Sequence, residues 1–580
     1  MPISSPYSPL DVPDVDLWTL LFERESKPFL DSKVLFTDGR TGHTLDYGRL
    51  RSAALDFGHG LKALWGWRRG DVLAFYTPNS VDTPILTAGL LWAGGVASPA
   101  NPLYTADELA FQLRDSGAKA LVTQRPFLNV AARAAAAAGI PHDRIILIGE
   151  QQQAESESES DSSSPRQQQH HRYKHFSSIR ATFYCSRYAQ TLVEPAKDLA
   201  FLVYSSGTTG LPKGVCLTHR NIVANILQGV RTDGQHLLPH GGFDGKGDRL
   251  LGLIPFFHVY GLTSCILMTM YAGWEVILME RFDMERACQL IEKHRVTYIY
   301  VPPPVVLAFA KSPIVDKYDL TSLKMLHSGA APLTRELTEA LWDRLKLPVK
   351  QGYGLSETSP VVSIQMPEDW ARFMGSIGKL VPGMEARLVS PDDGAEIVPG
   401  SSPGSEDKPG ELWVRGPNVF AGYLNRPELT REAITEDGFF KTGDIVTCDR
   451  HGNLYCVDRL KELIKYKGFQ VAPAELEGLL LGHADVLDCG VVGVQDHAAA
   501  TEVPRAYVVL KQPCAAAAGE AEARARDIAD WIATKVAPHK RLRGGVVFVP
   551  EIPKSPSGKI LRRVLRDMVK QEERKDGAKL

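Results

Sequence analysis

The chain has 580 residues, of which 44% are hydrophobic and 23% are charged, and its formal net charge is −2. This length predicts several domains rather than one core, and the nearly balanced charge gives no sign of nucleic acid or an anionic membrane as a partner. The 8 cysteines form no CxxC pair, so neither a zinc ribbon nor a disulfide framework is indicated.

Strand and helix patterns alternate in the first part of the chain. Val72–Tyr76, residues 120–123 and Ile145–Ile148 are short apolar runs typical of buried strands, and residues 84–93 have a helical pattern. This alternation predicts parallel sheets covered by helices. Residues from about 151 to 172 interrupt it, because Gln, Ser and Glu dominate there, and we expect a disordered insertion.

A loop rich in glycine and hydroxyl groups follows an apolar strand-like run at 199–204. Residues 204–215 read Tyr-Ser-Ser-Gly-Thr-Thr-Gly-Leu-Pro-Lys-Gly-Val. Glycine lets the backbone approach an anion closely, and the N–H groups of such a loop bind phosphate oxygens. The loop is not a Walker A motif, and a plain surface turn is the alternative, but the density of donors favours nucleotide binding. The predicted phosphate ligands are Ser205, Ser206, Gly207, Thr208, Thr209 and Lys213.

The apolar stretch at 250–271 is the one candidate for a membrane span. Pro255, Gly252 and Gly261 divide it, and it carries no formal charge. We predict a strand at 250–254, a loop at 255–261 and a buried helix at 262–271. A spanning helix needs about 20 unbroken apolar residues, so no membrane span is predicted.

Further motifs follow in chain order, and from about Asp458 the sequence becomes charged and rich in lysine. Strands at 486–494 and 506–510 and a helix at 520–536 then predict a small α+β domain. The motifs are Pro-Phe-Phe-His-Val-Tyr-Gly at 255–261, Ser-Gly-Ala-Ala-Pro at 328–332, Gln-Gly-Tyr-Gly-Leu-Ser-Glu-Thr at 351–358, Gly-Glu-Leu-Trp-Val-Arg-Gly at 410–416, Lys-Thr-Gly-Asp at 441–444, Asp-Arg-Leu-Lys-Glu-Leu-Ile-Lys-Tyr-Lys-Gly at 458–468 and Pro-Lys-Ser-Pro-Ser-Gly-Lys at 553–559.

In this order the motifs resemble the adenylate-forming superfamily of acyl-CoA synthetases, beetle luciferases and peptide-synthetase adenylation domains. The 4-coumarate–CoA ligase branch is the most similar, and the resemblance covers about 34–563 apart from the insertion. It implies an α/β fold with a large N-terminal domain of βα subdomains and parallel sheets at 1–457. A hinge at 458–461 and a small mobile α+β C-terminal domain at 462–580 would follow.

The resemblance implies ligation of a carboxylic acid to CoA through an acyl-adenylate made from ATP. Both partners in the first step are anions, so neutralising charge is the main task of the site. Glu357 is an oxygen ligand suited to Mg²⁺, and Asp444 with Arg459 would bind the ribose. The residues that would line the adenylate are Gln351, Gly352 and Ser356.

Four lysines are given roles by the same resemblance. Lys559, on a Ser-Gly-Lys turn, would stabilise charge on the α-phosphate. For the second step the small domain would swing about Lys461 and present Lys467 and Gly468 to CoA, with Lys465 against the acyl-adenylate.

The acid is expected to be apolar, because the implied pocket offers no fixed positive charge unless His258 is protonated. A second carboxylate or a sugar would lie unpaired in it, at a cost of several kcal/mol. We therefore expect an aryl or medium-chain acid, and Pro304 departs from plant 4-coumarate ligases. The pocket residues are His258, which is also a catalytic candidate, Tyr260, Ser264, Pro304, Ala330, Gly354, Val361 and Ile364.

Several alternatives are open. A serine acyltransferase is suggested by SxxK at 116–119 and Lys-Thr-Gly at 441–443, but Ser-Asp-Asn is absent. A non-catalytic nucleotide-binding protein is disfavoured because Lys559, Glu357 and Asp444 are all present. A different acceptor, either a carrier protein or luciferase-like oxidation, would keep the same fold.

The chain ends in Ala578-Lys579-Leu580. This tripeptide resembles the Ser-Lys-Leu type of peroxisomal address. It predicts the peroxisomal import receptor as a partner and the peroxisome as location, with the cytoplasm as the alternative.

Overall fold

The computed structural model describes residues 2–149, 173–181, 188–205, 212–233, 236–242, 244–399, 408–467, 469–496, 501–512, 519–556 and 558–577. Several predicted features lie outside these residues. They are the insertion at 151–172, the loop residues Ser206, Gly207, Thr208 and Thr209, Gly468 of the 458–468 motif, and the tail at 578–580.

The first large sheet contains the strands predicted from the early apolar runs, and its central strands are parallel. Val72–Tyr76 and Val96–Ala100 are buried along their whole length, as expected for parallel strands covered on both faces. In spatial order its described strands are Gly422–Tyr423, Lys213–Thr218, Leu199–Ser205, Val96–Ala100, Val72–Tyr76, Ala118–Gln124, Ile145–Ile148 and Lys174–His175.

The second large sheet carries two of the motifs at the carboxyl ends of its strands. Ser328 ends one strand, and the Gln-Gly-Tyr-Gly motif forms the end of its neighbour. Ligands of open α/β sheets bind at such ends. In spatial order its described strands are Lys379–Leu380, Val361–Ile364, Val349–Gly354, Met325–Ser328, Tyr298–Val301, Arg249–Gly252, Glu275–Leu278, Val34–Asp38 and Thr44–Asp46.

A third, antiparallel sheet completes the large domain. Asp444 and Arg459 are opposite each other on its last two strands. Its described strands are Ile3–Ser4, Glu385–Val389, Gly410–Arg415, Phe440–Cys448 and Leu454–Arg459, with Glu396–Ile397 paired to the second of them.

Helices surround these sheets, and the predicted division of 250–271 is largely confirmed. Leu262–Leu267 is a π-helix that runs into Met268–Ala272, whereas the predicted loop already becomes helical at Val259–Gly261. Within the described residues, no helix combines the length and apolar character needed to cross a bilayer. The other described α-helices of the large domain are Leu17–Phe22, Tyr47–Trp65, Asp82–Trp92, Ala106–Asp115, Leu128–Ala137, Phe176–Ala181, His219–Asp233, Met284–His294, Pro303–Lys311, Arg335–Leu345 and Pro427–Ala433.

The small carboxy-terminal domain has its own core, which includes Leu476, Val491 and Ile528. The predicted α+β character is confirmed, although the helix expected at 520–536 ends at residue 533. Its described elements are the hairpin Ile464–Tyr466 and Phe469–Val471, the strands Val486–Asp496, Thr501–Leu510 and Val546–Phe548, and the helices Pro473–Leu481, Glu520–Ala533 and Arg562–Gly577.

Candidate active site

The predicted ribose ligands form a tight polar group. Asp444 Oδ1 forms an ion pair with Arg459 Nε at 3.0 Å, and Oδ2 accepts a hydrogen bond from the Tyr353 hydroxyl at 2.6 Å. The carboxylate is buried, which is tolerable because both of its oxygens are paired. Burial and the neighbouring Asp444 raise the pKa of Tyr353 well above its ordinary value, so the phenol remains a donor. The sequence had given Tyr353 no role.

The predicted Mg²⁺ ligand is tied to the end of the phosphate loop by a tyrosine. Glu357 lies in the short helix Ser356–Thr358, and its Oε1 accepts a hydrogen bond from the Tyr423 hydroxyl at 2.9 Å. The Lys213 ammonium lies 5.1 Å from the centre of the Tyr423 ring. Lys213 is also the cross-strand partner of Ser205, so these two residues flank the loop. Tyr423 is uncharged and lies in none of the sequence motifs, so its contact with Glu357 could not be predicted.

Gln351, one of the residues predicted to line the adenylate, holds a neighbouring segment of the backbone in place. Its buried Oε1 accepts a hydrogen bond from Leu333 N–H at 3.2 Å, which anchors the end of the Ser-Gly-Ala-Ala-Pro turn. Within that turn Ala330 is exposed and has φ of 69°, a left-handed value that is uncommon for a residue other than glycine. Gly352 and Ser356 are partly buried on the adjoining segment.

His258 caps the helix that opens the predicted pocket. Its Nδ1 accepts a hydrogen bond from Tyr260 N–H at 3.3 Å, so the neutral ring carries its proton on Nε2. Burial, with a smaller contribution from the Lys559 ammonium, lowers the pKa of His258 to about 4. Of the two protonation states that the sequence left open for His258, this lowered pKa favours the neutral one, in which Nε2 is a donor.

Tyr260 is held in place by the neighbouring strands. Its hydroxyl donates to the backbone oxygen of His327 at 3.0 Å, and a Cβ atom at Gly329 would lie 3.2 Å from its ring. Only glycine leaves the ring at ordinary contact distance there. Ser264, within the π-helix, and Ile364 are both almost fully buried. These side chains belong to the packed interior at this end of the site.

Lys559 reaches the site from the small domain. The turn that carries it is closed by hydrogen bonds from Ser555 N–H to Lys559 O at 2.8 Å and from Lys559 N–H to Ser555 Oγ at 3.1 Å. A Cβ atom at Gly558 would lie 2.9 Å from Pro302 Cβ, so the turn packs on the large domain. Burial and Arg459 lower the pKa of Lys559 to about 8, against an opposing effect of Asp444.

Comparison with known proteins agrees with this arrangement. Residues 22–424 match the AMP-binding enzyme family, and residues 475–559 match the AMP-binding enzyme C-terminal domain. The chain belongs to the AMP-binding enzyme family. The resemblance inferred from the motifs and the predicted fold class are confirmed.

Three proteins illustrate the similarity of this AMP-binding enzyme to known ones. Probable 4-coumarate–CoA ligase 1 of Dictyostelium discoideum is 36% identical over 97% of both chains. The 4-coumarate–CoA ligase 1 of Petroselinum crispum is 37% identical, covering 97% of this chain and 94% of that one. The crystal structure of ATP-bound MatB from Rhodopseudomonas palustris superposes with a TM-score of 0.79 at 27% identity, over 95% and 98% of the two chains.

Next to Tyr260 of this AMP-binding enzyme lies a buried charge cluster of Asp233, Lys350, His327 and Tyr300. The Lys350 ammonium pairs with Asp233 Oδ1, and the Tyr300 hydroxyl donates to Oδ2 at 3.0 Å, with His327 Nδ1 3.3 Å from the same oxygen. Burial alone would raise the pKa of Asp233, but Lys350 and His327 outweigh it and hold that pKa below its usual value. Sequence reasoning missed the whole cluster.

The remaining predicted lysines of the AMP-binding enzyme lie elsewhere. Lys461, Lys465 and Lys467 are exposed, and the last two lie on the hairpin beside Thr501–Leu510. Lys465 N–H donates to Glu502 Oε2 and Lys467 N–H donates to Thr501 Oγ1, both at 2.8 Å. The structure therefore brings Lys559, rather than these three side chains, to Asp444 and His258.

Proposed function

We propose that this enzyme ligates a carboxylic acid to CoA at the expense of ATP, in two steps. The acid carboxylate attacks the α-phosphate and pyrophosphate leaves; the CoA thiol then attacks the acyl carbon and AMP leaves. The enzyme is an AMP-forming acid–thiol ligase. The observation that carries the proposal is that Lys559 is close enough to Asp444, Arg459 and His258 to interact electrostatically with all three, where a cation would face an α-phosphate held by its ribose. Relatives named 4-coumarate–CoA ligase support CoA as the acceptor.

In the first step the protein supplies charge and orientation. The Lys559 ammonium stabilises negative charge that develops on the α-phosphate, while Ser205 and Lys213 hold the leaving pyrophosphate. His258 donates from Nε2 to the acid carboxylate, and Asp444 accepts from the ribose hydroxyls.

Mg²⁺ fits the oxygen donors available at Glu357. The described residues contain no group of three or more His, Cys, Asp or Glu side chains that could hold a metal, so Glu357 would bind the ion together with nucleotide phosphate oxygens. When bound, the ion neutralises phosphate charge.

The second step requires a different orientation of the small domain. Lys465, Lys467 and Gly468 are proposed to act only after a swing about Lys461, within the division 1–457, 458–461 and 462–580. The exposure of Lys465 and Lys467 supports this, since a rotation could bring them inward. Lys461→Pro fixes φ and is expected to reduce thioester formation far more than pyrophosphate release. Wild-type kinetics of Lys461→Pro in both half-reactions would contradict the hinge.

The acid is proposed to be an aryl or medium-chain carboxylic acid. Tyr260, Ser264, Ala330 and Ile364 supply apolar or small walls, and the neutral His258 adds no second charge. Ile364→Ala is expected to shift turnover toward longer or bulkier acids, because it enlarges the pocket. Ile277→Ala, which removes the same atoms from a buried position elsewhere in the sheet, is the control and should leave the preference unchanged.

The decisive test is a pyrophosphate-release screen over aryl, fatty, dicarboxylic and amino acids, with and without CoA. Thioester formation with an apolar acid supports the proposal. Preference for dicarboxylates or amino acids would show that the pocket is wrongly assigned. Transfer to a carrier protein, or light emission with oxygen, in place of CoA thioester would favour the alternative acceptors.

Peroxisomal import through Ala578-Lys579-Leu580 stays a prediction. A protein tagged at its amino terminus should enter peroxisomes, and deletion of the three residues should leave it in the cytosol. Peroxisomal localisation of the truncated protein would contradict this address.

A further inference from the structure

The carboxyl end of one large-domain helix binds the small domain through a lysine. Lys311 is the last residue of the helix Pro303–Lys311, and its ammonium donates to Leu481 O at 3.3 Å and to Val486 O at 3.2 Å. Leu481 is the last residue of the small-domain helix Pro473–Leu481. Carbonyls at a helix carboxyl end lack intrahelical partners and carry partial negative charge, so they suit an ammonium group.

Lys311 is presented to the small domain by a rigid support. Arg344, from the helix Arg335–Leu345, donates to Ala310 O at 3.1 Å and to Ser312 O at 2.8 Å. The backbone on both sides of Lys311 is therefore fixed within the large domain. Lys311 is only partly exposed where its ammonium meets the carbonyls, and burial and the nearby Lys511 lower its pKa.

The same helix contacts the small domain at its other end as well. Pro302 and Pro304, at its amino end, pack against Gly558, the residue before Lys559. Nine helical residues separate the two contacts by roughly 13 Å. Two contacts at this separation restrict rotation of the small domain better than either contact alone.

The two domains approach each other closely at a third point, on the helix Pro473–Leu481. A Cβ atom at Gly478 would lie 2.5 Å from Thr334 Cγ2, so the helix Pro473–Leu481 lies directly on the residue that caps Arg335–Leu345. The carbonyl of Leu481 belongs to this same helix. Lys311 thus contacts a helix of the small domain that itself packs on the large domain.

We infer that Lys311 is a positioning residue that docks the small domain in the orientation required for adenylation, with Lys559 at the α-phosphate. This inference rests on the two-step function proposed above. Lys311 touches neither the nucleotide ligands Asp444 and Arg459 nor the acid-binding candidates, and it acts through Lys559. The first half-reaction depends on this docking, whereas the second requires the contact to open.

The test is Lys311→Met, which keeps the length of the side chain but removes its charge and donors. Pyrophosphate release is measured with saturating acid and ATP, and thioester formation is measured separately from supplied acyl-adenylate and CoA. Adenylation should fall about tenfold, consistent with loss of a charge-assisted contact, while thioester formation stays within about twofold or rises. Lys311→Arg should retain most of the adenylation rate.

The matched control is Lys317→Met, because Lys317 is exposed shortly after the same helix and should leave both rates unchanged. Unchanged adenylation in Lys311→Met would overturn the inference, and so would a parallel fall of both half-reactions, which indicates a general structural role. Failure of Lys311→Arg to retain adenylation would overturn it as well. If the wild-type enzyme makes acyl-adenylate but no CoA thioester, the proposed function fails, while the adenylation measurements still decide the role of Lys311.

Discussion

Lys350 and Lys559 show two ways in which this enzyme uses a cation near its active site. Lys350 is fully buried and pairs with Asp233 inside the large domain. Lys559 is carried by a turn of the small domain, and its pKa is lowered to about 8 by burial and by Arg459. Among the described residues no carboxylate forms an ion pair with the Lys559 ammonium. A charge whose partner is built into the fold is structural, whereas a charge without one is available to a ligand.

The two environments have opposite energetic consequences. Removing one member of a buried ion pair leaves the other charge desolvated, at a cost of about 3–5 kcal/mol. The surroundings of Lys559 already disfavour its charge, and in the proposed role an anionic phosphate would supply a counter-charge. Lys350 should therefore matter mainly for stability and Lys559 mainly for rate.

The largest expected effect comes from Lys350→Met. It leaves the Asp233 carboxylate buried without its cation, so the free energy of unfolding of the large domain should fall by about 3–5 kcal/mol. Urea unfolding measures this, with the exposed Lys293→Met as the control. The double variant Asp233→Leu with Lys350→Met should recover part of the loss. If Lys350→Met is as stable as the wild type, Lys350 does not have the structural role that distinguishes it from Lys559.

Lys559→Ala should instead lower the rate of adenylation and leave the stability of the protein unchanged. Pyrophosphate release should fall at least ~100-fold, because a group that stabilises developing charge is lost. The unfolding midpoint and the conversion of supplied acyl-adenylate to thioester should stay close to wild type. Equal loss of both half-reactions would refute a role confined to adenylation.

The next largest effect is expected in the pH dependence of adenylation, because the pKa of Lys559 is lowered. The ammonium form exists below the pKa of about 8, so kcat/KM for ATP in pyrophosphate release should fall about tenfold per pH unit above it. The pKa of His258, about 4, lies too low to contribute to this limb. Lys559→Arg keeps its charge and should show no such limb, although its rate is lower. If Lys559→Arg and the wild type lose kcat/KM in the same way at high pH, a group other than Lys559 is responsible.

Tyr423→Phe should have the smallest effect. It removes the hydrogen bond to Glu357 and keeps the ring beneath Lys213. Since Glu357 is only partly buried, we expect about 1 kcal/mol, or about fivefold in kcat/KM for ATP. Tyr455→Phe, which removes a hydroxyl from the third sheet away from Glu357, serves as the control. A loss near that of Lys559→Ala would mean that Tyr423 contacts the nucleotide directly.

The features predicted correctly from the sequence are those in which function or burial produces a recognisable local pattern of residues. Val72–Tyr76 and Ile145–Ile148 were predicted with the bounds observed, because unbroken apolar runs are typical of buried parallel strands. Asp444, Arg459 and Lys559 lie in motifs, and the structure brings them together.

The missed residues depend on partners that are distant in sequence. Tyr423 gains its role only because its strand pairs with Lys213–Thr218. Lys350 follows Val349 in a buried strand, and nothing local reveals that Asp233 lies opposite its ammonium. The neutral state of His258 depends on burial by several elements and on Lys559 from another domain.

The left-handed backbone at Ala330 would limit the substitutions available to the proposed acid-binding site. At φ of 69° glycine is the favoured replacement, and β-branched or bulky residues are strongly strained. We therefore expect few tolerated substitutions at position 330. Substitutions that change the acid preference should be tolerated better at Ile364, which lies on a regular strand. Natural variants of the enzyme with altered acid preference should keep a small residue at 330 and differ instead on the strand Val361–Ile364.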